Sequence, residues 1–351
     1  MKKNMTKMLL LATMLMASSS MWAYDFIVDG LRYSKKSANE VWVAKYSEYA
    51  SSVNYEGDIV VPDEVVYEGV TYKVTGVSQW AFGNNSRITS VTLGNNVKTL
   101  DEKSFYQSRN MKKVVLGKSV EKIMAYAFDS CDKLTGIQLP ESLVEIGECA
   151  FSATSITWIA IPDKVTTVGR AAFMSCSELA SATIGKGLTT IGDEMFASCS
   201  SLKSVTVPDH VKTIGNKAFS KAGIETVYIG KGVTSIEKLA FAACQSLKTV
   251  YAAPAKPATL GTNVFYQLDL SKISLVVPTG SKSAYQSADT WKEFGKISEM
   301  DNIETANIQQ ATEQVTLKGI YDINGRQLPA MQKGLNVVKM SNGETRKVVV
   351  K

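Results

Sequence analysis

Residues 191–213 read IGDEMFASCSSLKSVTVPDHVKT, and residues 214–235 continue IGNKAFSKAGIETVYIGKGVTS. The second line repeats the first in the placing of its apolar residues. Both belong to a longer ladder, since Phe82, Phe105, Phe128, Phe151, Phe173, Phe196, Phe219, Phe241 and Phe265 follow one another at intervals of 22–24 residues. Most units carry an apolar residue five positions before the Phe (Leu100, Ile123, Ile146, Val168, Ile191, Ile214, Ile236). A small residue usually sits just before it (Ala81, Ala127, Ala150, Ala172, Ala218, Ala240). A short alternation follows, as in Leu134, Ile137, Leu139 and Pro140, or Ile156, Ile159, Ile161 and Pro162. Alternation of this length predicts one strand of about five residues in each repeat.

One such unit cannot bury its own apolar positions, whereas stacked units cover one another and build a continuous core along an axis. The fold class is therefore a solenoid: a parallel β-sheet stack of about nine coils. Strands of successive coils should lie ~4.8 Å apart, with side chains alternating between core and solvent. A Gly four before the Phe is present at Gly147, Gly169, Gly192, Gly215 and Gly261. Ser78, Asp101, Met124 and Glu237 stand in its place elsewhere, so the early coils are expected to turn less regularly.

The pattern I-G-x-x-A-F-x-x-C-x-x-L-x-x-V-x-x-P-x-x-V, nearly whole in residues 191–211, resembles the BspA-like class of leucine-rich repeats. That class occurs on secreted and surface proteins of anaerobic Gram-negative bacteria. The resemblance covers roughly residues 76–277. It implies a leucine-rich-repeat solenoid with an N-terminal cap over 24–75 and repeats with a closing coil over 76–296, the end sealed by Trp291, Phe294 and Ile297.

The two ends of the chain read differently. MKKNMTK is basic, MLLLATMLMA is apolar but too short to span a bilayer, and SSSMWA supplies small residues before YDF. Residues 1–23 thus read as a cleaved signal peptide, and with the first cysteine at Cys131 the lipoprotein route is not expected. No other apolar run has membrane length. Lys2, Lys3 and Lys7 account for part of the formal charge of +6. The remaining balance is too small and scattered to argue for nucleic acid. Residues 297–316 read as a polar linker. Residues 317–351 alternate apolar and polar residues around Asn324-Gly325 and Asn342-Gly343, which predicts a short three-stranded antiparallel β tail. GIYDINGR, KGL and the terminal KVVVK resemble the C-terminal sorting domains of the type IX secretion route.

Reactive chemistry finds little support in the residues. Cys131, Cys176, Cys199 and Cys244 each lie three after a Phe, which spreads them in a column instead of gathering them at one metal. Side chains in register stand parallel, so a Cys176–Cys199 bridge fits less well than buried thiols acting as small core groups. His210, the one histidine, follows Asp209 on a turn, with no nucleophile singled out beside the pair. P-loop, GxSxG and HExxH motifs do not occur. No enzymatic activity, cofactor or metal is expected.

The repeat register puts two rows of side chains on the solvent side of the strands. One runs Ser90, Lys113, Gly136, Trp158, Ser181, Ser204, Thr226, Thr249, and the other Thr92, Val115, Gln138, Ala160, Thr183, Thr206, Tyr228, Tyr251. Trp158, Tyr228 and Tyr251 stand out from their short neighbours and, with Val115 and Gln138, are the candidate ligand contacts. A column of turn residues, Lys118, Glu141, Asp163, Lys186, Asp209 and Lys231, mostly alternates in sign and reads as support for coil register. With what the resemblance implies, the chain reads as an exported binding protein, secreted or held on the outer surface of a Gram-negative bacterium, whose ligand is a host or neighbouring-cell protein or glycan. The alternative is a structural envelope protein that self-associates through its solenoid.

Overall fold

The computed structural model describes residues 24–45 and 55–303, and the backbone of four strands in the tail. The expected signal peptide and residues 304–316 lie outside these. The chain forms a parallel β-solenoid of about ten turns of about 23 residues, as the Phe spacing predicts.

Three short strands open it: β1 (Phe26–Val28), β2 (Leu31–Lys35) and β3 (Glu40–Val43), the first two pairs antiparallel. Next come β4 (Gly57–Val61), β5 (Glu64–Tyr67) and β6 (Val70–Val77), with β5 and β6 forming a hairpin. β3 runs parallel to β6, and β4 runs parallel to Ile88–Leu93. The segment expected to be a cap therefore already contributes the first rung to both sides of the rod. Asp58 pairs with Ser90 and Val60 with Thr92.

Each coil then has three sides. The first carries the longer strand. Ser204–Val207, Thr226–Ile229, Thr249–Ala252, Ser274–Pro278 and Lys296–Met300 form one sheet in the predicted register, Ser204 opposite Thr226 and Thr226 opposite Thr249. Val205, Val207, Val227 and Val250 point inward, buried, as period-two alternation requires. The solenoid sheet runs on past residue 296: Ile297 pairs with Leu275 and Met300 with Pro278, so the polar connection begins after this strand. The second side carries a two-residue strand in each coil, whose second residue is fully buried at Leu100, Ile123, Ile146, Ile191, Ile214 and Ile236 and half-buried at Val168 and Leu260.

The third side holds the Phe. Its rings form a single column from Phe82 to Phe265, with centroid spacings between 4.9 Å (Phe105–Phe128) and 5.8 Å (Phe241–Phe265). Every neighbouring pair along it is stacked, from a 2° interplanar angle at Phe151–Phe173 to 20° at Phe82–Phe105. Tyr55 covers one end at 5.2 Å, and Trp291 and Phe294 close the other edge-on. Trp291 Nε1 donates to the Ala258 carbonyl (3.0 Å) and the Tyr285 hydroxyl, on the helix Lys282–Ser287, to that of Pro254 (2.8 Å).

The backbone around each Phe is held in an unusual form. Residues two before and two after every Phe have positive φ: Trp80 and Asn84, Glu194 and Ser198, Lys217 and Lys221, and so on to Asn263 and Gln267. None of these is glycine. The left-handed form costs an L-residue roughly 1–2 kcal/mol. What offsets it is a hydrogen-bond ladder: Glu194, Phe196 and Ser198 donate their N–H groups to the carbonyls of Asn216, Ala218 and Ser220 in the next coil, each at 2.8 Å. The same three bonds recur from the coil of Phe82 to that of Phe241. The early coils make them as completely as the later ones, so on this side of the rod the irregularity expected where the Gly is missing does not occur. Where the Gly is present, except at Gly192, it answers close approach of the coils: a Cβ on Gly169 would lie 2.3 Å from the Glu148 nitrogen.

The tail strands are Leu317–Tyr321, Gln327–Leu328, Gly334–Met340 and Thr345–Val350. They form one antiparallel sheet of four strands, one more than predicted, with Gln327–Leu328 on the edge beside Leu317–Tyr321. The short strand lies just after Asn324-Gly325, and the Asn-Gly residues themselves lie outside the described backbone.

Because Phe196 is fully buried between the rings of Phe173 and Phe219, Phe196→Ala should cost about 3–5 kcal/mol. Chemical denaturation should show this as an earlier, still cooperative transition. A β-branched residue strains the left-handed site further, so Ser198→Val should also lower the midpoint. An unchanged midpoint for both variants contradicts this assignment of the third side.

Candidate ligand-binding face

The long-strand side is built mostly of short residues. Trp158–Ala160 pairs with Ser181–Thr183, Trp158 opposite Ser181 and Ala160 opposite Thr183. The neighbouring coil at Thr135–Gln138 forms no strand, which breaks the sheet between Lys113–Val115 and Trp158–Ala160. The Trp158 indole lies toward that break. A Cβ added to Gly136 would be 3.9 Å from its Nε1. The ring is half-buried, and among the described residues nothing accepts its N–H.

The other candidate contacts divide. Val115 is 39% exposed, Gln138 is exposed, and Tyr251 is half-buried with no partner for its hydroxyl among the described residues. Tyr228 departs from expectation. It occupies the predicted row between Thr206 and Tyr251, yet only 6% of it is accessible. Neighbours at strand spacing cover much of a large ring set between them, and so Tyr228 offers little area to a ligand. The row is more open toward its N-terminal end: Thr92, Val115 and Thr183 are exposed, whereas Val276, opposite Tyr251, is buried.

Val60 belongs to the same row and is 67% exposed. Sequence reading passed over it by starting the coils at residue 76. The signal was present: Val61-Pro62-Asp63 repeats Val207-Pro208-Asp209. The Asp of that turn has one task throughout. Asp163 Oδ1 accepts the Lys186 N–H (3.0 Å), Asp209 Oδ1 that of Lys231 (2.9 Å), and Asp63 Oδ1 that of Asn95. The side chains pair as well, Lys186 to Asp163 at 3.3 Å and Lys231 to Asp209 at 3.0 Å. The Lys186 N–H and ammonium hold the Asp163 carboxyl below its ordinary value.

His210 and Asp209 do not form a catalytic pair. Asp209 is engaged with Lys231, while His210 is half-buried with Nε2 3.1 Å from the Gly185 carbonyl. Among the described residues no group of three His, Cys, Asp or Glu side chains could hold a metal ion. Nor, among them, is any helix long and apolar enough to cross a membrane.

The cysteine column is buried and its thiols are free. Each thiol reaches a Phe carbonyl of the preceding coil: Cys131 to Phe105 (3.2 Å), Cys176 to Phe151 (3.1 Å), Cys199 to Phe173 (3.3 Å) and Cys244 to Phe219 (3.1 Å). Ser108 makes the same bond to Phe82 with its hydroxyl, at 2.8 Å. The column thus supplies donors to buried carbonyls besides filling core volume. Burial pushes all four thiols up, Cys176 to about 11 and Cys244 to about 12.

Residues 69–180 and 166–288 match the family described as BspA type leucine rich repeat region. No curated protein matches the sequence. Among solved structures, a leucine-rich repeat protein from Bacteroides ovatus aligns with a TM-score of 0.58 at 22% identity, covering 79% of this chain and 77% of its own. The leucine rich repeat protein of T. pallidum aligns at 0.46 and 23% identity, over 64% of this chain and 90% of that one. A leucine rich cell surface protein from Faecalibacterium prausnitzii aligns at 0.32 and 19% identity, over 80% and 96%. The first of these likenesses shows the fold.

The thiols carry a pH signature. Their folded values lie above the unfolded value of about 8.5, so both states are protonated and stability is complete below that pH. Above it the unfolded chain loses protons that the folded chain keeps. Stability should therefore fall as pH rises from about 8.5 toward the folded values. Thermal melts from pH 7 to 10.5 should show this decline, and it should shrink in Cys176→Ala and Cys244→Ala relative to their own neutral-pH baselines. Iodoacetamide on the folded protein should label Cys149, the half-buried thiol, before the other four.

Proposed function

Because the chain belongs to the BspA-type leucine-rich repeat family, we propose that it is an exported, non-enzymatic binding protein displaying its long-strand face to a protein or glycan. The observation that carries this reading is the pair Trp158 and Tyr251. Each is a half-buried aromatic on a face of short side chains, and each has a polar tip without a partner among the described residues. Aromatic groups with an apolar body and a free donor are frequent anchors of recognition. Val60, Val115 and Gln138 extend the face toward the N-terminal end, and Tyr228 contributes packing beneath it.

The outer surface of a Gram-negative bacterium is the location this reading assigns, with export by the segment at 1–23. The tail at 317–351 serves as a sorting or attachment module, a role supported by its likeness to type IX sorting domains. A four-stranded sheet this small has little core to offer a reactive site.

A binding array of host matrix proteins and glycans, probed with the mature chain, is the first experiment. For any ligand it returns, Trp158→Ala or Tyr251→Ala should weaken binding by about 1–3 kcal/mol with little change in melting temperature. Thr190→Lys and Thr213→Lys, on the two-residue strands of the second side, should leave affinity unchanged. The opposite pattern moves the site off the long-strand face.

A further inference from the structure

The hydrogen-bond ladder on the third side has a direction. In every coil from Phe82 to Phe241, three N–H groups point to the carbonyls of the following coil. The coil of Phe241 gives the last complete set: Leu239, Phe241 and Ala243 donate to Thr262, Val264 and Tyr266. The coil of Phe265 repeats the same backbone form, with φ of 57° at Asn263 and 65° at Gln267. Among the described residues no carbonyl of a following coil accepts from this turn. Trp291 and Phe294 cover the Phe265 ring, but the closing segment meets the main chain of this coil only further on, where the Gly295 N–H donates to the Leu270 carbonyl (2.9 Å). Among the described residues the N–H groups of Asn263, Phe265 and Gln267 have no acceptor.

They open into a cleft of ≈ 590 Å³ between the turn at 263–271 and Thr290 and Glu293 of the closing segment. Tyr266 stands at its edge, 52% exposed. The Asp269 carboxylate is paired with Lys272 at 3.0 Å, whereas the Glu293 carboxylate is exposed and has no ion-pair partner among the described residues.

We propose that this cleft binds the main chain of a basic peptide segment, independently of the long-strand face. Three donors on alternate residues, spaced as at every inner junction, match three alternate carbonyls of one polypeptide. A compact anion could meet only part of that row, and Glu293 and Asp269 repel it. The carboxylate of Glu293 instead favours a lysine or arginine on the incoming segment, and the Tyr266 ring supplies apolar contact. A second copy stacked end to end is disfavoured, because Tyr55 covers the Phe column at one end and Trp291 and Phe294 cover it at the other.

The test uses a probe whose carbonyls have the required register. Residues 214–222, IGNKAFSKA, offer the carbonyls of Asn216, Ala218 and Ser220 to the preceding coil and carry two lysines. The acetylated, amidated and fluorescein-labelled peptide is titrated with the full chain in fluorescence anisotropy, with a scrambled peptide alongside. Saturable binding is expected for the first peptide only, weakened about tenfold by Tyr266→Ala or Glu293→Lys, both exposed positions. Hydrogen exchange at Asn263, Phe265 and Gln267 should slow when the peptide is added, while Trp158→Ala leaves its binding unchanged. Three results overturn the proposal. One is the absence of saturable binding at millimolar peptide. Another is binding indifferent to both substitutions. The third is protection of those amides without peptide, which means that the chain itself or, where it grows with concentration, a second copy fills the cleft.

Discussion

Everything in this structure depends on the requirement that each coil present the same row of hydrogen-bond donors to the next. The Phe column expresses that requirement in side chains, and the left-handed residues two positions to either side express it in the backbone. Ring spacings of 4.9–5.8 Å exceed the ~4.8 Å between strands. Successive rings are therefore displaced sideways as well as raised, which is the offset arrangement that aromatic quadrupoles favour. A coil lengthened by a residue inside the turn would lose ring overlap and ladder together, which explains why length varies so little from Phe to Phe.

The strain in the backbone and the bonds between coils are parts of one device. An isolated turn with two left-handed residues would be unfavourable, and only a neighbour that accepts the three N–H groups makes it stable. Stability in such a stack comes from interfaces more than from units. The thiol column reinforces the same interface from inside, since each Sγ donates to a carbonyl of the coil before it. Cys and Ser at position three after the Phe combine small volume with a donor, while Ala222 fills the same place by volume alone.

The solenoid was legible because its signal is volume: large, small and branched apolar residues recur at fixed spacing, and only stacking buries them. Strand register and the buried ends of the two-residue strands followed from the same spacing. The left-handed pairs were not legible, because Lys, Ser, Glu, Ala and Leu all occupy them and glycine, the usual mark of positive φ, is absent. What selects that conformation is the neighbouring coil, which a single repeat does not reveal. Val60 was legible in principle through Val61-Pro62-Asp63, but the hairpin of β5 and β6 interrupts the spacing that would have extended the ladder to it. The burial of Tyr228 could not be read from alternation, which says only which side a residue takes and nothing of how tightly its neighbours enclose it.

A sheet of small residues is a poor recognition surface until something breaks its uniformity. Here one such break lies at a glycine. At Gly136 the sheet loses a strand, and the Trp158 indole leans toward the space. A half-buried ring is held in place by its neighbours, so little rotamer entropy remains to be lost when a ligand covers its outer face. Tyr251 is held in the same way against the buried Val276 and Tyr228. In the function proposed above, the residues best suited to bind are therefore those partly spent on packing, and high exposure, as at Val60, marks area without a fixed geometry. In the same proposal, recognition on a fold whose core is a repeated interface is concentrated where the repeat is locally imperfect.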